Sequence, residues 1–154
     1  MSCKVTVTLV SETQEGNVGD TWKYDLEAKL FCEGLRGEAT ISVPKHQLSH
    51  GEVKRPHTDP PPVVLFEGEC GDELLLRLKL SVTEIDFLIN DSGEASKDIR
   101  LERPCHGKSE YSHDFDIAAG VRESPGILNK NAVFTLRLRI LVERAAGDPP
   151  APVG

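Results

Sequence analysis

Aromatic side chains are scarce in this chain: its 154 residues hold one Trp, two Tyr and five Phe. The interior must therefore be filled by Val, Leu and Ile, which suit the pleated, half-buried surface of a sheet. Continuous apolar runs are missing too. No stretch is long enough for a membrane-spanning helix. The opening Met1-Ser2-Cys3-Lys4-Val5 leads straight into alternating residues, without the apolar core of a signal peptide. That start points to a cytoplasmic protein. The length suits one domain with one core.

Positive charge is in the minority. Lys and Arg number 18 against 25 Asp and Glu, and the formal charge of −7 repels nucleic acid unless a local basic patch intervenes. The densest positive positions, Arg77/Lys79 and Arg137/Arg139, alternate with apolar residues and read as solvated strand faces, so no nucleic-acid partner is expected. The four cysteines, Cys3, Cys32, Cys70 and Cys105, form no Cys-x-x-Cys pair, which excludes zinc-ribbon and thioredoxin-like readings. Without a secretory signal they are expected to be free, mostly buried thiols.

What is present is period-two alternation, the mark of a strand with one buried face. It runs through Cys3–Leu9 and Trp22–Cys32, in a short segment over Ala39, Ile41 and Val43 ended by Pro44, and in Val63–Phe66. The longest signal places Leu74, Leu76, Leu78, Leu80 and Val82 on one face and Arg77, Lys79, Ser81 and Thr83 on the other. At Glu84 and Asp86 the inward parity turns acidic, which predicts that the strand bulges or leaves the core there. Alternation returns at Ile99 and Leu101, at Phe115–Val121 and at Ala132–Val142. Eight strands and no amphipathic helix predict an all-β fold, an antiparallel two-sheet sandwich over residues 1–144, with a barrel as the competing closure. Residues 145–154 read as a flexible Pro/Gly/Ala tail. The span Pro44–Pro62, with three His and little apolar residue, reads as a long surface loop.

No catalytic set emerges. The chain has no Gly-x-Ser-x-Gly elbow, and Gly107-Lys108-Ser109 lacks the first Gly and the following helix of a phosphate loop. His46, His50, His57, His106 and His113 have no metal-ligand spacing and read as solvent-facing loop residues. The remaining cluster is acidic: Glu84, Asp86, Asp91, Glu94 and Asp98 fall in what reads as one loop after the longest strand. Grouped oxygen ligands on a short loop suit Ca²⁺, which makes Asp86, Asp91 and Asp98, with Glu84, the candidate metal ligands. The turn-like Asn90-Asp91-Ser92-Gly93-Glu94 equally suits a plain solvent-exposed loop.

The run Leu65-Phe66-Glu67-Gly68-Glu69-Cys70-Gly71-Asp72-Glu73-Leu74, continuing through Leu76-Arg77-Leu78 to Val82-Thr83-Glu84-Ile85-Asp86, resembles the later strands of C2-like sandwiches. There a Gly-Asp-Glu-Leu turn precedes a long strand ending in an acidic loop. The resemblance spans residues 62–143. It implies a sandwich whose acidic loops at one end hold Ca²⁺ and dock on lipid headgroups, the second loop mapping onto Asp86, Asp91 and Asp98. The segment Thr13–Thr21, which would be the first such loop, offers only Glu15 and Asp20 and lacks the family's Asp pair. The expected function is therefore a non-catalytic interaction module engaging a protein partner through the Pro44–Pro62 loop or exposed sheet edges, with no cofactor. The alternative is Ca²⁺-dependent membrane attachment, with Ile85, Phe87, Leu88 and Ile89 inserting beside the metal.

Overall fold

The computed structural model describes residues 2–69, 73–86, 90–102, 110–123 and 130–144. The expected tail from residue 145, Cys70, Cys105, His106, Phe87–Ile89 and Gly107–Ser109 lie outside the described residues. Among the described residues there are nine strands: β1 (Ser2–Gly16), β2 (Thr21–Phe31), β3 (Leu35–Gln47), β4 (Val53–Lys54), β5 (Val63–Glu69), β6 (Leu74–Glu84), β7 (Asp91–Leu101), β8 (Glu110–Arg122) and β9 (Asn131–Arg144). They form two antiparallel sheets. One runs β4-β1-β9-β8, with β5 also paired to β1, and the other runs β3-β2-β6-β7. The expected all-β sandwich is the fold. No helix among the described residues is long and apolar enough to cross a membrane.

Alternation places the core. Leu74, Leu76, Leu78 and Leu80 on β6 face Phe134, Leu136, Leu138 and Ile140 on β9 across the sandwich interior, and all are buried. Outward positions of the same strands carry Arg77, Lys79, Arg137 and Arg139 in cross-strand ion pairs. Two glycines set how closely the sheet margins approach. A Cβ on Gly37 of β3 would stand 2.0 Å from the Leu65 carbonyl oxygen of β5, and one on Gly93 of β7 would stand 2.2 Å from the Gly120 oxygen of β8. Each seam is also tied by a long side chain: Arg36 donates to the Glu69 carbonyl at 3.2 Å, and Lys97 to the Asp116 carbonyl at 2.8 Å. The sheet edges expected to receive a partner are thus drawn against each other, as edge strands in soluble proteins commonly are covered.

Four boundaries differ from the sequence reading. Strand β1 continues past Leu9 to Gly16, because a register shift between Leu9 and Ser11 moves the buried parity onto Glu12 and Gln14. Strand β3 runs through Pro44, which an edge strand tolerates since it lacks only a donor. The predicted surface loop therefore begins later and contains β4. Strand β6 does not bulge: its pairing stays in register to Glu84, whose side chain remains on the inward face, and the chain leaves the sheet only after it, with Asp86 exposed. Asp91, Glu94 and Asp98 are not on a loop but along β7, paired in register with Glu84, Ser81 and Arg77.

Cys32 is disulfide-bonded, to a partner outside the described residues. This overturns the expectation of a free thiol there. Cys3 is buried in the core.

In urea unfolding, Leu78→Ala or Leu138→Ala should cost about 2–5 kcal/mol through lost burial and the cavity left behind. Lys79→Ala, in an exposed pair, should cost under about 1 kcal/mol. The same unfolding in dithiothreitol should show a clear loss of stability as the Cys32 disulfide is reduced.

Candidate functional site

Apart from Thr6, the buried polar side chains of the described residues gather at one end of the sandwich. In the four-stranded sheet, His46 pairs with Trp22, Trp22 with Glu84 and Glu84 with Asp91, so three polar residues share one cross-strand row. The facing sheet contributes Glu12 and Gln14, opposite Leu136 and Phe134 of β9. Glu12, Gln14, His46, Glu84 and Asp91 are all buried. Burial of so many polar groups is costly unless each is paired.

Glu12 and His46 meet that cost together. Glu12 Oε1 lies 2.5 Å from His46 Nε2, with side-chain exposures of 0% and 4%. The other ring nitrogen, Nδ1, is 2.7 Å from the Pro44 carbonyl oxygen. A carbonyl can only accept, so Nδ1 carries a hydrogen and the ring's second nitrogen shares one further proton with Glu12. Burial alone would lower the His46 pKa. The hydrogen bonds to Glu12 and Pro44 and the Glu12 charge outweigh burial and raise it above 6.5, against an opposing contribution from Lys54. The Tyr24 ring meets His46 edge-on at 6.1 Å. Burial and the neighbouring Glu12 carboxylate push the Tyr24 phenol far above its ordinary pKa. The Tyr24 hydroxyl still falls short of a complete hydrogen bond, as do Glu12 Oε2 and Gln14 Oε1.

The same residues pin the segment after β3 across this end. Gln14 Nε2 donates to the carbonyls of Leu48 at 3.1 Å and Gly19 at 3.3 Å. The Gly51 amide donates to the Gln14 carbonyl, and the Leu48 amide to that of Asp20. His50 accepts the Gly16 amide through Nδ1 at 2.8 Å, and His57 stacks on His46 with ring centroids 4.7 Å apart. His50 and His57 are exposed, as their solvent-facing reading expected, although each is engaged; His46 departs from that reading because it is buried. His113, on β8, stacks on Tyr111 and lies tilted against Phe115.

Both nitrogens of His46 are committed and its partner carboxylate is sealed from solvent, so the pair has no face from which to take a proton from a substrate. General-base chemistry requires such reach.

The candidate metal ligands separate into two places. Glu84 and Asp91 are directly paired, with Asp86 two residues beyond Glu84. Asp98 lies seven residues farther along β7, about 23 Å at roughly 3.3 Å per residue. There Arg77 takes both of its oxygens, at 3.0 and 3.2 Å, and holds its pKa below the usual range. Among the described residues, no three His, Cys, Asp or Glu converge as a metal site. Asp98 therefore leaves the proposed ligand set because its strand carries it away. The Glu84 carboxylate instead packs over Gly19, where a Cβ would stand 2.1 Å from Oε1. Burial, then the charges of Asp86 and Asp91, push Glu84 up to about 7, with a backbone hydrogen bond from Thr21 opposing and Asp20 adding to the rise.

A carboxyl whose pKa rises on folding loses stability for the protein as pH climbs from its unfolded value to its folded one. Glu84→Gln should therefore raise the melting temperature at pH 8 and change it little at pH 4, measured by thermal unfolding at the two pH values.

Comparison of the chain with protein-family models finds no match, and comparison with curated proteins finds no similar relative.

Proposed function

We propose that the chain is a non-catalytic interaction module on a C2-like scaffold, engaging a protein partner through the outer face of its five-stranded sheet. One observation carries this reading. Two adjacent rows of that face hold parallel, two-pronged ion pairs: Arg139 on Asp114 at 2.8 and 3.1 Å, and Arg137 on Asp116 at 2.8 and 3.2 Å. Exposed Val53 and Val133 flank them, and Ser11, Thr13, Val53, Asp116, Thr135 and Arg137 line a shallow hollow of about 160 Å³.

Exposed pairs of this kind add little stability. They do fix the guanidinium planes, so less side-chain freedom is lost when a partner docks, and Arg is enriched at protein interfaces. The occupant that fits is a protein surface offering carboxylates to the half-exposed arginines and a small apolar side chain to the hollow. The net charge of −7 disfavours nucleic acid and anionic membrane. The two-sheet topology supports the C2-like scaffold, and the adjacent Glu84 and Asp91 are what remains to favour the Ca²⁺ alternative. Disulfides form and persist in oxidising surroundings, so the bond at Cys32 moves this reading from the expected cytoplasmic location to an oxidising compartment.

A photo-crosslinking residue at position 53 or 133, tested in extracts of the native source, should capture one protein that the same residue at position 79 on the opposite face does not. Arg137→Glu with Arg139→Glu should then weaken binding of that protein at least tenfold while leaving the fold intact. Equal capture from both faces would refute the assignment. Sedimentation with anionic vesicles that requires millimolar Ca²⁺ would favour the membrane alternative.

A further inference from the structure

The Glu12–His46 pair is unusual in what it spans. Glu12 belongs to β1, an inner strand of one sheet, whereas His46 lies near the end of β3, the edge strand of the other sheet. Between residues 44 and 58 the chain passes from β3 through a turn to β4 and on to His57, which lies over His46. Among the described residues, the buried side-chain bond that ties this segment to the interior through an ionisable pair is that between Glu12 and His46. The segment is also held by the Gln14 amide to the Leu48 carbonyl, the Gly51 amide to the Gln14 carbonyl, the Gly16 amide to His50 Nδ1 at the surface, and the His57 stack.

We infer that the Glu12–His46 pair is a proton-dependent latch, which holds residues 44–58 across the Tyr24 end of the sandwich and loosens when the shared proton is lost as pH rises. Because Nδ1 is committed to the Pro44 carbonyl, removing the shared proton leaves the His46 Nε2 lone pair facing a Glu12 carboxylate. Two acceptors at that separation repel, and neither can turn to water. The groups facing His46 are Glu12 from β1, Tyr24 from β2, Lys54 from β4 with its own partner Glu52, and His57 stacked above. Tyr24 is kept neutral by its raised pKa and cannot replace the lost proton's charge. Lys54 opposes protonation of His46.

The sign follows from the direction of the His46 shift. A histidine whose pKa rises on folding contributes stability that is complete below its unfolded value. That contribution is lost as pH passes through the higher folded value. Loss falls first on the segment that the proton fastens. Opening would uncover Tyr24, Gln14 and Glu12, the buried polar groups beneath it.

Hydrogen–deuterium exchange of the whole chain, read by mass spectrometry from pH 5.5 to 9 and corrected for intrinsic exchange rates, tests this. Protection of peptides within 44–58 should fall at least tenfold relative to the β6 peptide 74–84 across that range. In His46→Gln the segment should show weaker protection with no such pH dependence. A wild-type profile that stays parallel to β6 would overturn the latch, as would the same pH dependence persisting in His46→Gln. Should that variant fail to fold, the carbon-bound imidazole protons of His46 in the wild type give the second readout. They should titrate above pH 6.5 together with amide shifts confined to 44–58, and titration without those shifts would contradict the proposal.

Discussion

The Glu12 carboxylate has no exposure to solvent, and the interaction that lets it stay in the interior is its bond to His46. Two charges or two dipoles brought together there must compensate for the water each has lost, and a buried pair does so only with good geometry and further hydrogen bonds. The second bond of His46, to Pro44, supplies one of these and fixes the ring. The arrangement explains why the chain after β3 is not a free loop. Its path is set by where His46 must sit, and Leu48, His50 and Gly51 then fall within reach of Gln14 and Gly16.

The rest of the molecule is held differently. The leucine rows of β6 and β9 and the close approaches at Gly37 and Gly93 bring the two sheets together along both margins. The close approaches and the Arg36 and Lys97 side chains cover both seams against another strand. Specific recognition is then better served by a face than by an edge. The outer side of the five-stranded sheet has ordered arginines and exposed valines where the opposite sheet has Arg77–Asp98 and Lys79–Glu94 pairs on its own surface.

Much of this fold was legible in alternation alone, because β2, β6 and β9 bury Leu, Val, Ile and aromatic residues at every second position. The polar end was not. After the shift at Leu9/Ser11 the inward positions of β1 are Glu12 and Gln14, which a hydrophobic pattern scores as solvent-facing. Glu84 broke the apparent phase of β6 for the same reason, although the strand itself does not change face. Ser92-Gly93-Glu94 has turn composition, yet Gly93 is the residue that lets β7 approach β8. Of the candidate ligands, Glu84 and Asp91 do meet, since they are register partners; Asp98 was grouped with them only because a strand was read as a loop. A His two residues after a strand Pro was the available hint of the Glu12–His46 pair, and it carried no information about which distant carboxylate it would find.

The account rests on Glu12 and His46 acting as one unit, and a double-mutant cycle measures that directly. Urea unfolding at pH 6 of Glu12→Gln, His46→Gln and the double variant should give losses of about 3–5 kcal/mol for each single change, as expected when a buried pair is broken. The double variant should lose little more than either single one. Losses that simply add would show that the two side chains contribute independently and would contradict the account.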